Sequence, residues 1–149
     1  MGNENSFDFK SFVLANNGQL VTGFDYLHTI YKTHGLSSDF IVFFAKLFWP
    51  DFKVIDGVVF ISELFDSEYY QSFLKDGRNI NEAQFWMNLL EITGLFDGLS
   101  IDEAVQVSEI VVKSWNFKLG IECGNVSVLA RFIRDDETGE VFVTIGKPD

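Results

Sequence analysis

The residue types that most often carry chemistry are scarce in this chain. It has two histidines, His28 and His34, and one cysteine, Cys123. The histidines lie six residues apart on a predicted helix, so they occupy different faces and lack the i, i+4 spacing of a shared metal site. Cys123 follows Glu122, whose charge disfavours the thiolate form that a nucleophile needs. We therefore expect structural roles, with His28 hydrogen-bonded and partly buried and His34 at a helix C-terminus.

Two predicted turns concentrate carboxylates, the ligands that Ca²⁺ prefers in proteins. Neither turn has the alternating acids and central glycine of an EF-hand loop, and charged residues at turns are usually only solvated. We therefore expect no bound metal and no other cofactor. The two sets are Asp135, Asp136, Glu137 and Glu140 in one turn, and Asp97, Asp102 and Glu103 in the other.

The sequence lacks the motifs of several large enzyme classes. It has no phosphate-binding glycine loop, no G-x-G-x-x-G, no G-x-S-x-G and no Cys/His metal spacing. Paired carboxylates beside stacking aromatics could hydrolyse sugars, but no spacing singles out a pair, and phenylalanine brings no polar group to a sugar. The sequence therefore leans against an enzyme and leaves the question open.

The charge of the chain is concentrated in its middle third. The formal net charge is −11. Residues 51–110 hold twelve acidic residues against Lys53, Lys75 and Arg78, whereas the segments on either side are close to neutral. Soluble surfaces usually intersperse both signs, so this imbalance indicates a negative surface. Such a surface repels nucleic acid and attracts a basic protein.

The sequence therefore predicts a non-catalytic interaction module that presents an acidic surface to a basic protein partner. Nuclease inhibitors and toxin-neutralising immunity proteins bind by this physics, in which charge steers the encounter and exposed aromatic anchors add affinity. The simpler alternative is that the acids only form the solvent-exposed faces of amphipathic helices. That alternative explains why these positions are polar, but it does not explain why so few of them are lysine or arginine. The predicted partner-binding residues are Glu63, Asp66, Glu68, Tyr69, Tyr70, Asp76, Glu82 and Glu91.

Two other functions stay open. The first is a small-ligand-binding domain or small enzyme, with an aromatic-lined pocket between helices and sheet and converging polar groups from His28, Tyr31 and Arg131. The second is a subunit whose surplus aromatics complete an oligomer interface. The oligomeric state is not predicted.

Local signals predict an α+β fold, with about six helices packed on a small antiparallel sheet built from two hairpins. The longest apolar stretch, residues 40–49, is apolar nearly all round, so we expect it to be the central, covered helix. The expected helices cover residues 6–15, 22–35, 37–49, 63–74 and 79–93 and a segment after Ser100, with residues 116–125 open between helix and strand. Capping boxes are expected for Thr22 with Asp25, Asn79 with Glu82 and Ser100 with Glu103, and Gly35 is expected to end the second helix. The expected hairpins turn at Asp56-Gly57 and between residues 126–133 and 141–145.

Length and composition predict one domain over residues 1–149, with residues 1–5 as a flexible tail. A single cysteine precludes an internal disulfide and favours a reducing compartment, so we expect a cytoplasmic protein. No apolar stretch is long enough to cross a bilayer, and we expect no membrane partner. The first six residues fit the pattern for N-myristoylation at Gly2, which the sequence leaves open.

Overall fold

The computed structural model describes residues 7–147 of the chain. Within that range there are seven α-helices and five β-strands, and the strands form one two-stranded and one three-stranded antiparallel sheet. The predicted α+β class is confirmed. The chain divides into two compact units, Met1–Phe44 and Ala45–Asp149. The single domain stays a prediction, and Gly2 and the expected tail lie outside the described residues.

The first unit contains α1 (Phe9–Ala15), α2 (Gly23–His34) and the first part of α3 (Ser38–Phe48). The predicted capping box of α2 is confirmed: the Asp25 amide donates to the Thr22 hydroxyl at 3.2 Å, and the Thr22 amide donates to the Asp25 carboxylate at 2.7 Å. The Thr22 amide, and after it the Thr22 hydroxyl, which donates to the same carboxylate at 3.0 Å, favour the ionised carboxyl and lower the pKa of Asp25.

The first unit contains a small aromatic cluster and most of α3, whose apolar side chains are largely exposed. Phe12 is buried, its ring lies 5.6 Å from that of Tyr26, and the Tyr26 hydroxyl donates to the Phe7 carbonyl at 2.6 Å. No residue of α3 is buried, so the expectation of a central, covered helix does not hold. The hydropathy of an apolar helix predicts that its surface is buried, but it does not show which other element buries it.

After the end of α3, the second unit contains the predicted Asp56-Gly57 hairpin, which is confirmed. Strands β1 (Phe52–Ile55) and β2 (Val58–Ile61) pair on either side of the turn. The backbone φ angles of Asp56 and Gly57 are +52° and +84°, the left-handed geometry that a tight two-residue hairpin requires.

The next two helices differ from their predicted bounds. Ser62–Leu64 forms a 3₁₀ turn, so α4 (Ser67–Lys75) begins four residues later than expected. The expected capping box of Asn79 and Glu82 is wrong, because Asn79 accepts a bond from the Asn81 amide while Glu82 accepts one from Arg78.

The helix expected through residue 93 is wrong in its second half. Helix α5 (Ile80–Met87) ends early, and Leu90–Glu91 forms strand β3, which pairs with β5 (Glu140–Ile145). A short helix, α6 (Ile92–Leu95), follows. These residues have helical periodicity, but pairing with a strand fifty residues away overrides it.

The chain ends with a long helix and a hairpin. Helix α7 (Ile101–Glu122) carries the predicted Ser100–Glu103 capping box and absorbs most of the segment left open between helix and strand. Strand β4 (Ala130–Asp135) starts four residues later than expected and pairs with β5, giving the sheet order β3-β5-β4. The two hairpins therefore lie in two separate sheets, which corrects the prediction of one sheet and six helices.

Strand β2 is the most enclosed element of the second unit. Val59 and Ile61 pack into a cluster with α7, β4 and β5, whereas Val58 and Phe60 pack on the opposite side against α4 and α5. Both faces of this strand are therefore buried, although its sheet has only two strands.

Two side-chain amides from α5 cover the free edge of β2. Gln84 accepts a hydrogen bond from the Val59 amide at 2.8 Å. Asn88, at the C-cap of α5, accepts from the Ile61 amide at 2.8 Å and donates to the Val59 carbonyl at 2.9 Å. Because buried backbone groups must be paired, these amides stand where a third strand would otherwise be needed.

Candidate functional site

Part of the predicted partner-binding set gathers at the start of α4. We call Glu63, Asp66, Glu68 and Tyr69 the acidic segment. All four are exposed, and 47% of Tyr69 is accessible. Asp66 is the N-cap of α4 and accepts from the Tyr69 amide at 3.0 Å, while Glu68 lies in the first turn. The positive end of the helix dipole favours both of these carboxylates.

The carboxylates of the acidic segment have no basic partner among residues 7–147. No lysine, arginine or histidine nitrogen in that range lies within 4.0 Å of Glu63, Asp66 or Glu68. Lys46 lines the same small hollow as Glu63, but its ammonium group pairs with Asp51 at 3.1 Å. The three carboxylates are therefore available to a cation from another molecule.

Tyr70 belonged to the predicted partner-binding set as an exposed aromatic, and that exposure is wrong. Only 3% of it is accessible, and its ring packs against Phe60 and Phe65. Its hydroxyl donates to the Asp56 carboxylate at 2.5 Å. Burial first, and then the bond to this negative group, raises the pKa of Tyr70 to about 12.

The other predicted acids lie apart from the acidic segment. Asp76 caps the C-terminus of α4, a helix of nine residues and so about 13 Å long. Glu82, in the first turn of α5, is half-buried and pairs with Arg78 at 3.3 Å. Glu91 lies in β3, where it accepts from the Thr93 hydroxyl at 2.9 Å. Four of the eight predicted residues therefore lie as exposed side chains in one short stretch of chain, between residues 63 and 69.

Cations from the C-terminal third of the chain pair with other acids. Arg134 contacts Asp102 at 3.1 Å and Asp136 at 2.7 Å, and these bonds raise the pKa of its guanidinium, with Asp136 contributing most. The ammonium group of Lys118, which is buried, lies 3.7 Å from Glu122 and 3.9 Å from Asp51. These pairs neutralise part of the acidic middle third but none of the acidic segment.

A cleft of about 740 Å³ lies in the second unit between α5, α7 and the start of β4. Its wall is formed by the chain between α7 and β4, including Val126, Val128 and Leu129, with Leu119 from α7. Two amides hold the cleft in shape: Gln84 bonds β2, and Asn116 both accepts from and donates to the backbone of Ala130.

Arg131 lines this cleft and is the one residue of the predicted ligand pocket that the cleft contains. Its guanidinium carbon lies 5.4 Å from the centre of the Phe85 ring. Its Nε is buried and has no hydrogen-bond partner among the described residues. Gly146, also in the lining, has a φ of +88°, and a Cβ there would lie 2.6 Å from the Gln84 Nε2. Only glycine fits this position.

The aromatic-lined pocket described from the sequence differs from this cleft. The described residues of its lining are aliphatic, polar or glycine, with no phenylalanine or tryptophan. His28 and Tyr31 lie on α2 in the first unit, and both are exposed, so the expected partial burial of His28 is wrong. Their part in a pocket stays a prediction. Sequence reasoning missed the other lining residues because four separate stretches of chain supply them.

The remaining candidates for chemistry have structural surroundings. Burial, and secondarily the charge of Glu122, raises the pKa of the Cys123 thiol. In the predicted acidic turn, Asp135 accepts bonds from the amides of Glu137 and Thr138. Across residues 7–147, no three His, Cys, Asp or Glu side chains are grouped as metal ligands.

Comparisons with protein-family models, with curated proteins and with solved structures found no significant match to this chain. None of the described helices combines the length and the apolar character needed to cross a membrane. The two features of the described chain that bear on its function are therefore the acidic segment and the cleft.

Proposed function

We propose that this protein is a non-catalytic interaction module that presents the acidic segment to a basic protein partner. The observation that carries the proposal is that Glu63, Asp66 and Glu68 are exposed, have no basic partner in the described chain and lie within six residues of the exposed Tyr69 in sequence. Unpaired carboxylates steer a basic partner, and an exposed tyrosine can anchor it.

A second feature supports the proposal. Asp76 places a carboxylate at the C-terminus of α4, where the helix dipole disfavours negative charge. Helix stability alone does not favour an acid there, whereas a surface selected for negative potential does. We extend the proposal to a reducing compartment such as the cytoplasm, because the chain has one cysteine, which is a free thiol.

Binding by two triple variants of equal net charge tests the proposal. The segment variant carries Glu63→Gln, Asp66→Asn and Glu68→Gln, in which asparagine preserves the N-cap of α4. The control variant removes three exposed carboxylates elsewhere, by Asp97→Asn, Glu109→Gln and Glu137→Gln. Both keep the fold-forming residues and differ only in where charge is lost.

Each protein is immobilised and exposed to native lysate at about 50 mM and about 500 mM NaCl, since salt screens exposed charges. We expect the wild type and the control to retain the same basic protein at low salt and to release it at high salt. The segment variant should bind that protein about tenfold more weakly, which corresponds to about 1.4 kcal/mol. Equal loss by both triple variants, or binding that salt leaves unchanged, would rule out the acidic segment as the docking surface.

A further inference from the structure

The charge of the cleft is opposite to that of the chain as a whole. Among the described residues that line it, Arg131 and Lys147 are cations and none is acidic. The chain has twice as many acidic as basic residues, with 22 of the former and 11 of the latter. A concave site that collects basic groups in such a chain has a local potential suited to an anion.

The polar groups around the cleft divide into two kinds. The Gln84 Oε1 and both amide atoms of Asn116 are bonded to backbone, so they fix the walls. The Nε of Arg131 is buried and has no partner among the described residues, which is a costly state for a donor on a charged group. The guanidinium of Arg131 lines the cleft, so a carboxylate there could pair with this group through charge-assisted hydrogen bonds.

The rest of the lining is largely aliphatic and therefore favours an anion that also has an apolar part. Leu119, Val126, Val128 and Leu129 supply aliphatic surface, and Leu129 is 70% exposed. The volume of about 740 Å³ lies within the range of small-molecule sites. One guanidinium with aliphatic walls suits a monocarboxylate better than a phosphate, which needs a denser array of N–H donors.

We propose that this cleft binds a small organic carboxylate with an apolar body. The carboxylate accepts from Arg131, and the apolar body lies against the segment formed by Val126, Val128 and Leu129. This activity is independent of the acidic segment, because the two sites share no residue. Either proposal can fail without the other.

Titration calorimetry with octanoate tests the site, with octanamide as the uncharged ligand of similar shape and inorganic phosphate as the anion without an apolar body. We expect octanoate to bind at least tenfold more tightly than octanamide, about 1.4 kcal/mol, and phosphate to bind more weakly than octanoate. Equal binding of octanoate and octanamide would overturn the role of the charge. Binding of phosphate alone, or of none of the three probes, would overturn the proposed ligand class.

Three variants locate the octanoate. Arg131→Gln should weaken binding about tenfold, whereas Arg134→Gln, on the same strand and with the same loss of charge, should leave binding unchanged. Ser127→Glu keeps Arg131 but adds a carboxylate at an exposed position of the lining, and should also weaken binding about tenfold. If Arg131→Gln does not fold, Ser127→Glu decides the case. Octanoate binding that is unaffected by Ser127→Glu, or affected equally by Arg134→Gln, would place the ligand elsewhere.

Discussion

Asn88 provides a direct test of how the second unit tolerates an enclosed strand in a two-stranded sheet. It is fully buried, with 0% of its surface accessible, and its amide makes two hydrogen bonds to the free edge of β2. Asn88→Leu keeps the approximate volume and removes both bonds. The Ile61 amide and the Val59 carbonyl would then be buried without partners.

The expected cost follows from those two backbone groups. A buried donor or acceptor left unpaired costs about 1–3 kcal/mol, so two together cost about 2–6 kcal/mol. The leucine recovers part of this by burying apolar surface. We expect a net loss of about 3 kcal/mol in the free energy of unfolding, a large part of the 5–15 kcal/mol that is typical of whole domains.

Asn88→Asp separates hydrogen bonding from size. The aspartate can still accept from the Ile61 amide, but when ionised it places an acceptor against the Val59 carbonyl and buries a charge. Its folded-state pKa should therefore be raised above the unfolded value of about 3.9. The destabilisation relative to wild type is then full at neutral pH, and it shrinks as pH falls through the raised pKa, because the protonated carboxyl can donate.

Urea denaturation followed by tryptophan fluorescence measures these differences at pH 7 and at about pH 5, where the raised pKa should begin to act. Gln106→Leu, an amide-to-leucine change at an exposed position of α7, is the matched control and should change stability by less than about 0.5 kcal/mol. A loss in the free energy of unfolding for Asn88→Leu no larger than that of this control would refute the structural role of Asn88. That role is also refuted if the stability difference between Asn88→Asp and the wild type increases as the pH is lowered.

Two further predictions concern titrating groups. Tyr70 should ionise near pH 12, above the reference tyrosine value of about 10, so its contribution to stability is present below about pH 10 and lost as pH rises through about 12. Tyrosinate absorbance, compared with that of Tyr70→Phe, measures the pKa of Tyr70, and Asp56→Asn should lower it. Titration of Tyr70 near the reference value of about 10 would contradict its burial. Cys123 should react with iodoacetamide more slowly than free cysteine at about pH 8, close to the usual thiol pKa, because burial and the charge of Glu122 disfavour its thiolate. Its reaction should become faster when urea unfolds the protein. A rate in the folded protein equal to that of free cysteine would show that the thiol is accessible and ionised.

The features predicted correctly are those that depend on neighbours within about four residues. The capping boxes at Thr22 and Ser100, the left-handed Gly35 that ends α2, and the Asp56-Gly57 turn all have local causes. The capping box expected at Asn79 fails for an equally local reason, since Arg78 competes for the same glutamate. The sequence contained that competitor, but the motif alone does not rank the two partners.

The features predicted wrongly depend on residues far along the chain. Leu90–Glu91 has helical periodicity, yet it joins β5 because a strand edge some fifty residues later is available. Tyr70 follows Tyr69 in sequence, and it is packing against Phe60 and a hydrogen bond to Asp56, both more distant in the chain, that distinguish the buried Tyr70 from the exposed Tyr69. Of the eight predicted partner-binding residues, four therefore lie in the acidic segment, Tyr70 is buried and three acids lie elsewhere, and Arg131 is the one predicted pocket residue in the cleft.

The sequence by itself determined the class of fold, the capped starts of α2 and α7, the end of α2, and the excess of negative charge in the middle of the chain. Capping, turn geometry and charge depend on residues that are adjacent in the chain, so a short stretch of sequence is enough to predict them. Only the tertiary structure decided that β2 is an interior strand, that Asn88 bonds to groups 27 and 29 residues away, and that Arg131 lines a cleft. The physical reason is that burial and hydrogen-bond pairing belong to pairs of distant residues, and no local pattern records the partner.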